Sequence, residues 1–163
     1  MRYLCWTRKE SPDALYPKKD ARKRARIDEY LDWHHVGLRQ ASNRLVFLKY
    51  FSKPYKREVV LPSEKLEAQM AERRLEAGLE KLDRRLGQHQ YVAGEKLTIA
   101  DFAGLSDVFQ LNFLIRFRSI IEPYKHVQRW YYQLIEEEAV RESHEVMFKL
   151  INDSYENHQD MLQ

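Results

Sequence analysis

Between Lys18 and Phe51 the chain places Ile27, Leu31, His34, Leu38, Ala41, Leu45 and Leu48 at alternating steps of four and three, with no proline. That is the period of one helix face, and it predicts a long amphipathic helix. Gly37 interrupts it at a cost of about 1 kcal/mol against alanine, so the close approach of another backbone is expected there. A second stretch, SEKLEAQMAERRLEAGLEKLDRRLG, aligns Leu75, Leu79, Leu82 and Leu86. Ser63 reads as its cap and Gly87 as its stop. Pro54 and Pro62 bracket a linker over residues 52–61.

After a short connection containing Gly94, Thr98 and Asp101 stand three apart, the spacing of a short-armed capping box. The next segment, IADFAGLSDVFQLNFLIRF, is apolar on nearly every side. A helix of that kind is central and buried. Pro123 fits the first turn of another helix, through about Glu137, with Val127, Trp130, Tyr131 and Leu134 inward. A last helix spans about Val140 to Tyr155, using Val140, Met147, Leu150 and Ile151, before a polar tail. The segment SPDALYP, residues 11–17, is a loop. The expected fold is all-α: five main helices around one buried central helix.

Composition narrows this further. In 163 residues there are only 5 glycines and 5 prolines, too few turn residues for a many-stranded β protein. The single cysteine, Cys5, excludes an internal disulfide framework and a cysteine-based zinc cluster, and fits a reducing compartment. A formal net charge of +3 is mildly basic. The residues show neither an uncharged apolar run of membrane-spanning length nor the apolar core of a signal peptide, so a cytoplasmic protein is expected.

Two stretches, ARKRARIDEYLDWHHVGLR and YVAGEKLTIADFAGLSDV, resemble the C-terminal helical domain of a glutathione transferase, closest to the theta class. The second resembles the family's folding-box motif: a hydrophobic pair, a glycine, then Ser/Thr-x-x-Asp opening the buried helix. The stretch PYKHVQRWYYQLIEEEAVRESHEVM resembles the family's last helices. The resemblance implies an acceptor-substrate domain. In full-length members a preceding thioredoxin-like domain binds glutathione as co-substrate and activates its thiol. Met1-Arg2-Tyr3-Leu4 is similar to the end of that domain's last helix. On this reading residues 1–17 are that remnant plus a linker, 18–157 the helical domain and 158–163 the tail. The complete enzyme would conjugate glutathione to a small hydrophobic electrophile or reduce a peroxide, and the chain alone would be inactive.

The resemblance assigns Arg39 to the cleft between domains, where an arginine can hold a sulfate or carboxylate on a substrate. The plain alternative is a solvated arginine or an intrahelical pair. Asn43, Phe47 and Tyr50 come next on roughly the same side as candidate pocket residues, with core packing the alternative for Phe47 and plain exposure for Asn43. Some members place an aspartate three residues before that arginine, reaching the partner subunit's glutathione. This chain has Val36 there, which argues against such a contact. Tyr30, Trp33 and Gly37 form a second stripe, assigned by resemblance to a dimer or domain interface. Thr98 and Asp101 are assigned to folding, with no catalytic residue proposed.

No metal site is proposed. His34 and His35 are adjacent and not expected to converge, His34 reads as a core histidine, and His126 and His144 lack partners at ligand spacing. Asp28, Glu29 and Asp32 are expected to pair with Arg24 or Arg26 or to meet water. The basic run from Lys18 to Arg26 lacks interleaved aromatics and reads as a solvated helix end rather than a nucleic-acid surface, although its charge opposes the helix dipole and calls for compensation. A rival reading keeps the fold without the chemistry: a non-catalytic helical module that binds protein partners, as in translation-factor and synthetase assemblies.

Overall fold

The computed structural model describes residues 1–8, 11–52, 62–114 and 116–160, with side chains described through Asp153. The helices are α1 (Arg2–Thr7), α2 (Ala21–His34), α3 (Gln40–Val46), α4 (Pro62–Gln88), α5 (Ile99–Phe109), α6 (Phe117–Ile121), α7 (Lys125–Ile135) and α8 (Glu138–Asp160). Among the described residues there is no β-strand, and Tyr91 and Gly94 form one isolated bridge. Of the linker over 52–61, only Ser52 is a described residue; Pro54 lies outside them.

The long helix of the sequence pattern is continuous from Ala21 to Phe51 but is not a uniform α-helix. Two wide π turns, His35–Arg39 and Phe47–Phe51, interrupt it. All seven positions of its stripe are nonetheless buried. Its start is capped by Asp20, which accepts from the Lys23 amide at 3.0 Å. The basic first turns are compensated locally. Lys23 pairs with Asp20 at 3.5 Å, and Arg24 donates to the Lys18 carbonyl at 3.1 Å while covering the Trp6 ring.

Helix α4 runs antiparallel to this helix, as Arg85 reaches Glu29 while Arg44 reaches Glu67. The two cross closely at Gly78: a Cβ there would stand 3.1 Å from the Gly37 carbonyl oxygen. Helix α4 begins at Pro62, so Ser63 lies inside its first turn and is not the cap. It also runs one residue past Gly87, which has no positive φ and is not a stop. The His126 ring stands 3.1 Å from where a Gly87 Cβ would be, which accounts for the glycine by approach rather than conformation.

Helices α4 and α7 cap each other. Asp83 accepts from the His126 and Val127 amides at 2.8 and 3.0 Å, satisfying the start of α7. Arg129 returns a bond to the Leu86 carbonyl at 3.0 Å, near the end of α4. In α7 the four inward positions Val127, Trp130, Tyr131 and Leu134 are buried. Helix α8 is longer at both ends than its periodicity predicts and runs past residue 157 to Asp160. Val140 and Ile151 face the core, but Leu150 is 49% exposed.

Helix α5 is the centre of the molecule. Ile99, Ala100, Leu105, Val108 and Phe109 are all buried. The Ile99 amide donates to the Leu15 carbonyl at 3.1 Å, which seats the loop over 11–17 on the start of this helix. A 3-10 turn, Gln110–Phe113, extends it.

Candidate functional site

Asp101 is fully buried and does more than close a capping box. One oxygen accepts from the Thr98 amide at 2.8 Å and the Thr98 hydroxyl at 2.9 Å. The other accepts from the Val92 amide at 2.9 Å and Trp130 Nε1 at 3.0 Å. It thereby ties the 88–98 connection, α5 and α7 at one point. Burial pushes its carboxyl above the ordinary value of 3.8, against the pull of those donors. The Thr98 hydroxyl accepts from the Ala100 amide at 3.3 Å. These contacts are structural: Asp101 is enclosed, and of the pair only Thr98 reaches a surface recess, of about 430 Å³, between the 11–17 loop and the 88–98 connection.

The four pocket residues are not brought to one pocket. Arg39 and Asn43 line a recess of about 580 Å³, with His34, His35, Ser106, Asp107 and Gln110. Asn43 and Phe47 line a second hollow of about 610 Å³ beside Arg44 and Met70. Tyr50 lines a third and larger space of about 880 Å³ between α4 and the segment around Phe113 and Tyr124. Two steps of four residues along the regular helix turn the side chain by about 80° from Arg39 to Phe47, enough to carry it off the recess face. Phe47 is 50% exposed, so it is not a core residue, and the Arg44 guanidinium lies over its ring.

The Arg39 recess is the most chemically loaded of the three. The Arg39 guanidinium has no hydrogen-bond or ion-pair partner among the described residues. The wide turn also draws His34 and His35 together, with ring centroids 4.2 Å apart, contrary to the expectation for helix neighbours. His34 is a buried histidine, and its Nδ1 lies 2.8 Å from Asp107 Oδ2, itself buried. Burial raises the Asp107 carboxyl, and His34, Arg39 and His35 pull it back. Across the mouth, Arg2 is held by Asp28 at 2.7 Å and Asp32 at 3.1 Å. Those two carboxylates therefore pair with Arg2 rather than with Arg24 or Arg26, and Glu29 pairs with Arg85. No group of three or more metal-ligating side chains occurs among the described residues.

The interface stripe needs correction. Tyr30 is fully buried, stacked 6.0 Å from His34 and set over Gly104, so it cannot meet a partner. Gly37 lies under the Trp33 ring, and Trp33 is half-buried beneath Lys81. The exposed apolar residues of this helix pair are Val36, next to Gly37, and, further along, Phe47, Phe51, Leu66 and Met70. Sequence reasoning missed Asp107. Its helix carries Asp101, Asp107 and Ser106 as the polar side chains in an otherwise apolar run, and a second buried acid there was the available signal.

A split long helix, an antiparallel neighbour and a buried central helix opened by a capping box define an all-helical module of the glutathione transferase type. Residues 21–131, more than half of the chain, match the model of the glutathione S-transferase C-terminal domain, and the chain belongs to that family. It resembles theta-class members. Mouse glutathione S-transferase theta-1 is 30% identical over 143 residues, covering 85% of this chain and 57% of the mouse protein. Human theta-1 is 29% identical over 151 residues, covering 90% of this chain and 60% of the human protein. This chain thus spans less than two thirds of these relatives.

Solved structures agree on the fold. Poplar glutathione transferase F2 superposes with a TM-score of 0.77 at 23% identity, over 89% of this chain and 66% of that one. A human theta-class transferase, in complex with the glutathione conjugate of 1-menaphthyl sulfate, gives 0.75 at 22% identity, over 96% and 62%.

Proposed function

We propose that this chain is the acceptor-substrate half of a theta-like glutathione transferase. With a thioredoxin-like half that binds glutathione and lowers its thiol pKa, the reaction is thiolate attack on a small hydrophobic electrophile or a peroxide. The partition into residues 1–17, 18–157 and 158–163 belongs to this reading, as does a cytoplasmic setting, supported by the single cysteine. The observation that carries it is Arg39, whose guanidinium has no hydrogen-bond or ion-pair partner among the described residues and stands in a recess beside α1. A sulfate or carboxylate on the acceptor accepts from that guanidinium in a charge-assisted, two-point contact. Asn43 extends the same wall. Phe47 and Tyr50 serve the neighbouring hollows. Thr98 and Asp101 hold the scaffold.

Calorimetric titration of the chain with 1-menaphthyl sulfate tests the assignment. Arg39→Ala should weaken binding roughly ten- to a hundredfold, the worth of one hydrogen bond to a charged group. Equal affinity in the variant, or no binding to the wild-type chain, rejects it. A homodimer is part of the proposal too. Its contact is placed at Phe47, Leu66 and Met70, because Tyr30 is enclosed in its own chain.

A further inference from the structure

We propose that the space between α4 and the turns around Phe113 and Tyr124 is a second ligand site, separate from the Arg39 recess, and that it takes an uncharged molecule built of aromatic rings.

The space holds about 880 Å³, within the range of pockets that enclose a small organic ligand. No residue lines both it and the recess at Arg39. The long helix separates the two: the recess uses its turns from Leu31 to Asn43, the second space its turns from Leu45 to Tyr50.

The lining is apolar at depth. Leu45, Leu75, Leu79, Phe113 and Leu114 are buried residues that line it. Tyr50 and Tyr124, half-buried, add aromatic surface, and the Tyr50 ring centroid lies 4.9 Å from that of Phe113. Such rings offer an aromatic ligand offset-stacked and edge-to-face contacts beyond plain area burial.

The charged lining settles the character of the ligand. Glu72, Glu76 and Glu80 stand one turn apart on α4, and Lys49, Arg73 and Arg116 face them in number, so the formal charges cancel. Lys49 and Glu72 are bonded to each other. Arg73, Glu76, Glu80 and Arg116 are exposed and belong to the mouth. The Tyr124 hydroxyl donates to the Glu76 carbonyl at 3.4 Å. Burial, with Glu76, Glu80 and Asp83 nearby, pushes its phenol above the ordinary 10, so it adds no charge at neutral pH. An ion therefore gains no net attraction from this lining, yet gives up its water against the leucines. An uncharged ring system gives up no such hydration and gains from burying its surface.

N-phenyl-1-naphthylamine, uncharged and fluorescent once out of water, is the probe; 1-anilinonaphthalene-8-sulfonate, the same rings bearing a sulfonate, is its matched anion. Wild type should bind one uncharged probe per chain, with equal affinity in Arg39→Ala. Ser119→Trp and Ala77→Trp fill the space from opposite walls at exposed positions, and each should weaken binding at least about tenfold. In wild type the sulfonate should displace the uncharged probe at least about tenfold less well than the probe displaces itself. Glu76→Gln with Glu80→Gln leaves the lining cationic. The uncharged probe should then hold its affinity, while the sulfonate gains about tenfold as a competitor. No binding by wild type, or undiminished binding in the filled variants, overturns the site. Loss of binding in Phe47→Ser with Met70→Ser assigns the probe to that exposed face and overturns it equally. Loss in Arg39→Ala makes the two spaces one and overturns their separation. Equal displacement by the sulfonate in wild type overturns the selection against charge. The anion assignment of Arg39 is read from 1-menaphthyl sulfate and fails or holds apart from these outcomes.

Discussion

At the residue scale, buried acids and one buried hydroxyl set the sharpest expectations. Asp101→Ala leaves the Val92 and Thr98 amides and the Trp130 indole without an acceptor. Each buried orphan costs about 1–3 kcal/mol, so the loss should exceed the ~1 kcal/mol of an ordinary cap. Urea unfolding should give a loss of roughly 3 kcal/mol or more; a change within a few tenths would remove Asp101 from its role. Tyr30 Oη is a buried polar atom with no hydrogen-bond partner among the described residues. Tyr30→Phe should therefore be neutral or stabilising by about 1 kcal/mol, read from the same curves. Glu67 behaves in the opposite sense to the buried acids. Arg44, with two bonds of 2.6 Å, holds its carboxyl below the ordinary 4.5. The stability it contributes is present above that value and is lost as pH falls through the lower, folded one. Denaturation of Glu67→Gln should be less acid-sensitive than wild type below about pH 4.5, and an unchanged acid limb would dissolve the pairing.

At the element scale, competing magnitudes decide Gly78. Alanine there gains about 1 kcal/mol of helix propensity. Its Cβ, however, would stand 3.1 Å from the Gly37 carbonyl oxygen and 3.3 Å from Leu38 Cδ1. Backbone oxygen cannot swing aside as a side-chain tip can, and overpacking costs about 1–3 kcal/mol. Gly78→Ala should lower the melting temperature; a higher one would show that the crossing can relax. The core stripe from Ile27 to Leu48 was legible because burial imposes its period on the apolar residues. The wide turns were not, because a shifted backbone bond leaves no side-chain signature; the glycine at position 37 was the one local hint. Arg39 could be nominated from its motif, but its separation from Phe47 and Tyr50 depends on which neighbouring elements wall each hollow, which no local pattern reports. The His34–Asp107 pair joins residues 73 apart in sequence, and no local pattern reports a contact of that range.

At the scale of the whole molecule, the fold is a module with two unequal faces. One carries α1, with Tyr3 and Trp6 exposed, and the Arg39 recess beside it. The other presents Phe47, Leu66 and Met70 along the α3–α4 pair. If the second face holds a homodimer together, Phe47→Ser with Met70→Ser should shift the chain from dimer to monomer in sedimentation without loss of helical signal. The division of labour between this module and a thiol-activating half is tested most directly by turnover. The chain is mixed with glutathione and 1-menaphthyl sulfate, and conjugate is followed over the uncatalysed rate. We expect Arg39-dependent binding of the sulfate and no conjugate above background, since no group in the recess is assigned to thiol activation. Catalysed conjugate formation by these 163 residues alone would mean that the helices build a glutathione site of their own, and would overturn the assignment of this chain as an acceptor half.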